Sequence, residues 1–236
     1  YTVAILVIFL SVYFIIILDT DWHRIGSGEG ILKQLSYFVG LDFKIMPYLI
    51  KPAFETFLMA CLGTMLGLIM SLPVAWLGAK NVTPLGMASF SFARMLMTIS
   101  RSVHEIIWAL IFVRAFGLGP LSGVLAIFVA DTGTLSKLYS EAADNSDNKQ
   151  IEGLVSSGST KLSTIRFGLI PQVVPIFISQ SLYFFESNSR SAVILGIVGA
   201  GGIGLQLSER MKAQYWDQAF FIIIIILIMV ALIDKL

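Results

Sequence analysis

The stretch Thr56–Ala79, TFLMACLGTMLGLIMSLPVAWLGA, runs without a single Asp, Glu, Lys or Arg. At 1.5 Å of rise per residue, ~20 mainly apolar helical residues cross the hydrocarbon core of a bilayer. Tyr1–Leu18, Ala115–Ala130, Phe167–Phe185 and Gln218–Ile233 are uncharged as well. Composition agrees, with 56% of the 236 residues hydrophobic and 13% charged. A soluble domain carries about a quarter charged residues, because water must solvate its surface. The apolar runs are continuous rather than alternating, which selects helices over a barrel. The expected fold class is therefore an all-α integral membrane protein of about six transmembrane helices, at 2–18, 48–79, 86–116, 120–140, 170–198 and 217–236.

Residues 1–46 are expected to form the first transmembrane helix and an external interfacial segment. In that segment Ile31, Leu32, Leu35, Phe38 and Val39 mark one apolar face. Residues 47–236 form the core, with one long polar loop at about 140–168. The first run lacks the basic start and small-residue cleavage site of a signal peptide, and the chain is expected to be trimmed at both ends. Cys61 is the single cysteine and has no intrachain partner. His23 and His104 are far apart without a cysteine cluster, which argues against a metal site. A net charge of +1 is no footprint for nucleic acid. Lys and Arg divide almost evenly between the two sides, so the charge rule sets no orientation.

Gly199, Gly201 and Gly204 in GIVGAGGIG match G-x-G-x-x-G. A dinucleotide-binding turn needs a strand before it and a βαβ unit around it. The next apolar element, FFIIIIILIMVALI, is too long and continuous for a strand of a small sheet. The stretch reads instead as a glycine turn at a helix end, where backbones approach closely.

The segment DNKQIEGLVSSGSTKLSTIRFGLIP, 147–171, predicts two short helices around a Ser-Ser-Gly-Ser turn. Ile151, Leu154 and Val155 give one apolar face, Leu162 and Ile165 another. Such a hairpin can dock in a partner's groove; an ordinary solvated loop is the alternative.

These residues resemble a known family. Permease subunits of ABC importers carry E-A-A-x-x-x-G-x9-I-x-L-P in a cytoplasmic loop. Glu152, Gly158 and Pro171 fall on its Glu, Gly and Pro, while Gly153, Leu154, Gly168 and Ile170 depart from it. Glu141-Ala142-Ala143 imitates the motif but has Asp147 where glycine is required. The departures resemble the phosphonate importer branch, which reads V-E-G-I-x-x-T-G and then G-x-x-P-Q-V-x-P. Similarity extends over 101–133, 135–142 and 183–204, covering roughly residues 50–236.

The resemblance implies a type I ABC importer permease in the bacterial cytoplasmic (inner) membrane, with the 140–166 loop in the cytoplasm. Its implied partners are a second permease copy as a homodimer, two ABC ATPase subunits and a periplasmic or lipid-anchored phosphonate-binding protein. It assigns ATPase coupling to Glu152, Gly153, Leu154, Gly158 and Pro171. The chain holds no G-x-x-x-x-G-K-[ST] loop, so no cofactor is expected on it; ATP and Mg would sit on the partner ATPase. It is not expected to be an enzyme by itself.

Charged side chains at bilayer depth are costly and tend to be paired or to line a path. Arg101 with Glu105, and Glu186 with Arg190, are spaced i,i+4, which permits an ion pair on one helix face. One reading is structural neutralisation. The other makes Arg94, Arg101, Glu105, Glu186, Asn188 and Arg190 substrate-path candidates, since a guanidinium fork matches phosphonate oxygens. The resemblance implies import of phosphonates; the alternative is the same architecture importing phosphite, phosphate-like anions or methionine. An intramembrane hydrolase built on His104 and Ser122, or a passive channel, are the alternatives from other classes.

Overall fold

A computed structural model describes residues 2–14, 36, 42–80 and 86–235. Helix α1 covers Thr2–Val12, and a 3₁₀ turn at Phe43–Ile45 leads into α2, Met46–Gly78. Then follow α3 (Met87–Ser102), α4 (Glu105–Phe116), α5 (Pro120–Asp144) and α6 (Asn148–Ser156). Helix α7 (Lys161–Thr164) widens through Ile165–Leu169 into α8 (Ile170–Leu195). A second widened turn, Gly196–Ala200, precedes α9 (Gly202–Lys212) and α10 (Trp216–Ile233). No strand occurs among the described residues.

Among the described residues four helical stretches are long and apolar enough to cross a membrane: Phe43–Gly78, Pro120–Asp144, Lys161–Ala200 and Trp216–Ile233. A fifth exists if α3 and α4 count as one span, although they meet at 86°. The expectation of six is corrected in one place: the 86–116 helix is broken. Of the first helix the described residues show the short apolar α1, and residues 15–18 lie outside them. The expected interfacial helix also falls almost wholly outside them. Two boundaries move as well: α5 runs on to Asp144, and the fifth span begins at Lys161.

Helix α5 is the hub, packing on α2, α3, α4 and α8. Between apolar helices in lipid there is little hydrophobic drive, so close approach and hydrogen bonds must hold them. The buried face of α2 is accordingly small: Ala60, Gly63, Thr64, Gly67, Ser71 and Ala75 recur at helical spacing. A Cβ on Gly63 would stand 2.8 Å from Ile127 Cβ, and one on Gly67 would stand 2.7 Å from Asp131 Cβ. Lower on the same seam the Ser136 hydroxyl donates to the Ser71 carbonyl at 3.2 Å.

The glycine stretch forms an elbow between α8 and α9. Gly199 and Gly201 take φ of 108° and 85°, a region that side chains avoid. Folding back brings Gly196 so close to Gly204 that a Cβ would lie 2.8 Å from the Gly204 Cα. The elbow is tied down by Ile203 N donating to Thr56 Oγ1 at 2.8 Å and by Gly119 N donating to Gly199 O at 3.2 Å. The stretch is thus a turn at a helix end, as the sequence predicts, and no strand flanks it among the described residues.

Gly67→Val is expected to wedge α2 from α5 and to lower stability by about 1–3 kcal/mol, the usual cost of overpacking. Gly153→Ala, where a Cβ meets open space, is expected to leave the melting temperature in detergent unchanged or slightly raised.

Candidate functional site

The break between α3 and α4 lies beside the middle of α5, where Ser100 packs on Gly133, and a broken span must find partners for the backbone groups that it strands. Val103 and His104 are extended, with ψ of 123° and 143°. The His104 ring accepts from Ile106 N at 3.3 Å, capping α4. Trp108 Nε1 reaches back to the Ser100 carbonyl at 3.3 Å, satisfying one of the free carbonyls of α3. The Ser102 hydroxyl bonds to the Thr98 carbonyl.

This geometry corrects the expected Arg101–Glu105 pair. Arg101 is in the last turn of α3 and Glu105 in the first turn of α4. With two extended residues between them they share no helix face, and among the described residues no ion pair joins them. Each instead complements the dipole of its own half-helix, cation at a C-terminus and anion at an N-terminus.

The break opens on a polar cavity of about 220 Å³. Arg101, His104 and Glu105 face Asp131 and Thr134 of α5 and Ser187, Asn188 and Ser191 of α8 across it. Asp131 and Asn188 are each only 3% exposed. Asn188 Nδ2 donates to Asp131 Oδ2 at 2.5 Å and to Thr64 Oγ1 at 2.8 Å, which joins α2, α5 and α8 at one depth. Of the sequence candidates, Arg101, Glu105 and Asn188 meet here.

The other three lie apart. Arg190 bonds Glu186 at 2.8 Å, as the spacing predicts, and also Asp234 beyond the end of α10 at 3.4 Å. Two carboxylates thus hold that guanidinium in place. Arg94, two turns before Arg101, pairs with Asp144 at 3.1 Å at the far end of α5. Ser122 donates to the Gly117 carbonyl at 2.9 Å, near the elbow, and does not approach His104.

Asp131 is the residue that sequence reasoning missed. It sits immediately after the uncharged Ala115–Ala130 run, and a lone acid inside a span always calls for a partner. That signal was available; the partner, 57 positions away, was not.

At the far end of the bundle the polar loop turns where expected, but only the first of its two expected short helices, α6, stands apart; the second, from Lys161, runs without a break into the fifth span. Asp147 caps α6 by accepting from Lys149 N at 2.9 Å. Gly158, at φ 81°, turns the chain, and Ser157 and Ser159 hydroxyls both donate to Leu154 O at 2.7 Å. Thr160 caps α7. Leu154 packs down on Gly168, where a Cβ would lie 3.0 Å from its Cδ1. The departure from the family's motif at 168 thus makes room for the departure at 154. Glu152 and Gly153 are exposed, Pro171 opens α8, and Val155 and Leu162 stand 58% and 73% exposed. Beside them runs a groove of about 490 Å³ lined by Ile151, Val155, Lys161 and Ile165.

A membrane bundle of this kind, with a broken span on a polar cavity and a hairpin projecting from one end, is the architecture of a transport permease. Residues 54–235 match the family of binding-protein-dependent transport system inner membrane components, and the chain belongs to that family. The phosphite transport system permease protein PtxC of Stutzerimonas stutzeri is 35% identical over 193 residues, 82% of this chain and 70% of that protein. The phosphate-import permease protein PhnE of Mycolicibacterium smegmatis is 38% identical over 179 residues, 76% of this chain and 34% of that one. Among solved structures, the MetNI methionine ABC transporter in inward-facing conformations superposes with a TM-score of 0.68, 19% identity, and coverage of 83% of this chain and 95% of that chain. The fold is that of a type I ABC importer permease. The chain is a multi-pass permease subunit of an ABC importer.

Asn188→Leu leaves the buried Asp131 without its donor and is expected to cost about 1–3 kcal/mol or more, the penalty of an orphaned buried polar group. The double variant Asn188→Leu with Asp131→Leu removes both partners and is expected to melt closer to the parent. Equal melting temperatures for parent and single variant contradict the assignment.

Proposed function

We propose that the chain carries phosphonate-class anions inward across the bacterial cytoplasmic membrane, as a homodimer with two ATPase subunits and an external binding protein. The observation that carries this reading is the broken span, with Arg101 beside the start of α4 on a polar cavity in mid-bundle. A half-helix N-terminus at membrane depth favours an anionic group, and discontinuous helices are a recurrent device of transport sites. Arg101 has no carboxylate within ion-pairing distance among the described residues, so its fork is available to phosphonate oxygens. The relatives named for phosphite and phosphate point to the same class of oxyanion.

Glu105 and the C-terminus of α3 act against tight anion binding in the same cavity. That balance suits a path, where release must be fast; the external binding protein then supplies selectivity. Glu152, Gly153, Leu154, Gly158 and Pro171 mark the cytoplasmic hairpin as the ATPase contact, a lever that turns nucleotide-driven closure into helix movement. Phosphite or phosphate is the second reading, supported by the relatives' names.

The test is ATP hydrolysis in lipid nanodiscs, with the ATPase and binding protein of the same system, the latter loaded with an alkylphosphonate, phosphite, phosphate or methionine. Stimulation by the alkylphosphonate-loaded form is expected, and stimulation by methionine alone would overturn the substrate class. Arg101→Ala is expected to reduce uptake about tenfold or more, the loss of one charge-assisted contact, while the complex still assembles. Gly158→Asp, with a strain of about 1 kcal/mol at its left-handed φ and a new charge on the turn, is expected to uncouple hydrolysis from uptake without unfolding.

A further inference from the structure

Two polar braces flank the hairpin, and each leads to a different wall of the cavity. On one side Asp147 N donates to Gln172 Oε1 at 2.8 Å, and Gln172 Nε2 donates to Gly168 O at 2.8 Å. This ties the start of α6 to α8, the helix that carries Ser187 and Asn188. On the other side Asp144, three residues before the α6 cap, bonds Arg94 of α3 at 3.1 Å. Arg94 Nε also donates to the Gly78 carbonyl at 3.0 Å, and Lys80 N donates to Asp144 Oδ1 at 2.8 Å. The ends of α2 and α5 and the second turn of α3 therefore meet at one guanidinium. The Phe90 ring covers it at 5.2 Å, and the two paired side chains are only 24% and 19% exposed. Half-buried and charge-assisted, such a contact is stiffer than a surface ion pair.

Helix α3 runs unbroken from Arg94 to Ser102, two turns on, where the break begins. Its far half is fixed against α5 by a close fit: a Cβ on Gly133 would stand 2.5 Å from Ser100 Cβ. We infer that Arg94 is a positioning residue, a strut that transmits displacement of the α6 hairpin along α3 to the break that carries Arg101 and His104. Asp144 is its seat. The strut rests on the reading of the hairpin as the ATPase contact, and it moves Arg94 from the substrate path to the transmission.

Cys61 is the single cysteine, so Cys61→Ser gives a clean background for a covalent replacement. Arg94→Cys with Asp144→Cys in that background is assembled with the ATPase and binding protein in proteoliposomes. Uptake per ATP hydrolysed is measured before and after bridging by a short bifunctional thiol reagent. Before bridging, the ratio is expected to fall about tenfold, within the range of coupling energies carried by network residues, with ATPase co-purification unchanged. Bridging is expected to restore most of it, in the same polypeptide and therefore without any change in folding. A fully coupled double variant before bridging, or an uncoupled one after it, overturns the strut. Should the double variant fail to fold, Asp144→Asn serves, since its amide oxygen still accepts from Lys80 N while the ion pair is lost; undiminished coupling in that variant also overturns the proposal. Failure of the Cys61→Ser chain itself to bind any ATPase would instead remove the hairpin reading beneath it.

Discussion

A helix interrupted in the middle of a bilayer exposes amides and carbonyls that lipid cannot satisfy, and the molecule is organised around meeting that need. At Val103 and His104 the protein supplies an imidazole cap, an indole N–H returned to α3, and a charge of suitable sign on each half-helix. Once these are in place the break stands open beside α5 and α8, and it can expose arginine and histidine at a depth where they are otherwise costly. The cavity is the consequence of an interruption that has been chemically completed.

The neighbouring helices are adapted to hold that opening at one level. Gly63 and Gly67 let α2 lie directly on α5, so that Thr64 reaches Asn188, and Asn188 reaches Asp131. Each hydrogen bond in this trio crosses between spans, and each needs the small-residue seams to bring donor and acceptor within range. The elbow at Gly196–Ala200 does the same at the other end, bending α8 into α9 and locking the Gly119 turn and Thr56 around it. Packing and polarity are thus coupled: a larger side chain in a seam disturbs a polar network that it never touches.

Much of this was legible in the sequence, because lipid imposes simple rules. Uncharged runs located α2, α5, α8 and α10, and the motif Glu152, Gly158 and Pro171 located the hairpin with its turn. The glycine stretch reads as a turn at a helix end, and the elbow between α8 and α9 is that turn. Reasoning from periodicity failed where a span is not one helix. The i,i+4 spacing of Arg101 and Glu105 presumed continuity that Val103 and His104 remove, while the same spacing at Glu186 and Arg190 gave the true pair. Asp131 escaped because its partner lies in another span, and the pairing of Arg94, itself a sequence candidate, because its seat at Asp144 depends on where α2 and α5 end. Contacts between distant segments follow from three-dimensional packing, which a local pattern does not contain.

Transport requires that the cavity face one side of the membrane and then the other, in step with the hairpin. In the cysteine-free Cys61→Ser background, Ser187→Cys places one thiol on the cavity wall. Its labelling by an anionic, membrane-impermeant thiol reagent, in complexes reconstituted with ATPase and binding protein, tests that requirement directly. Labelling from one face without nucleotide, lost when the ATPases are trapped with vanadate, is the predicted result. A thiol that never reacts, or that reacts identically in both states, would contradict an alternately exposed path at the broken helix.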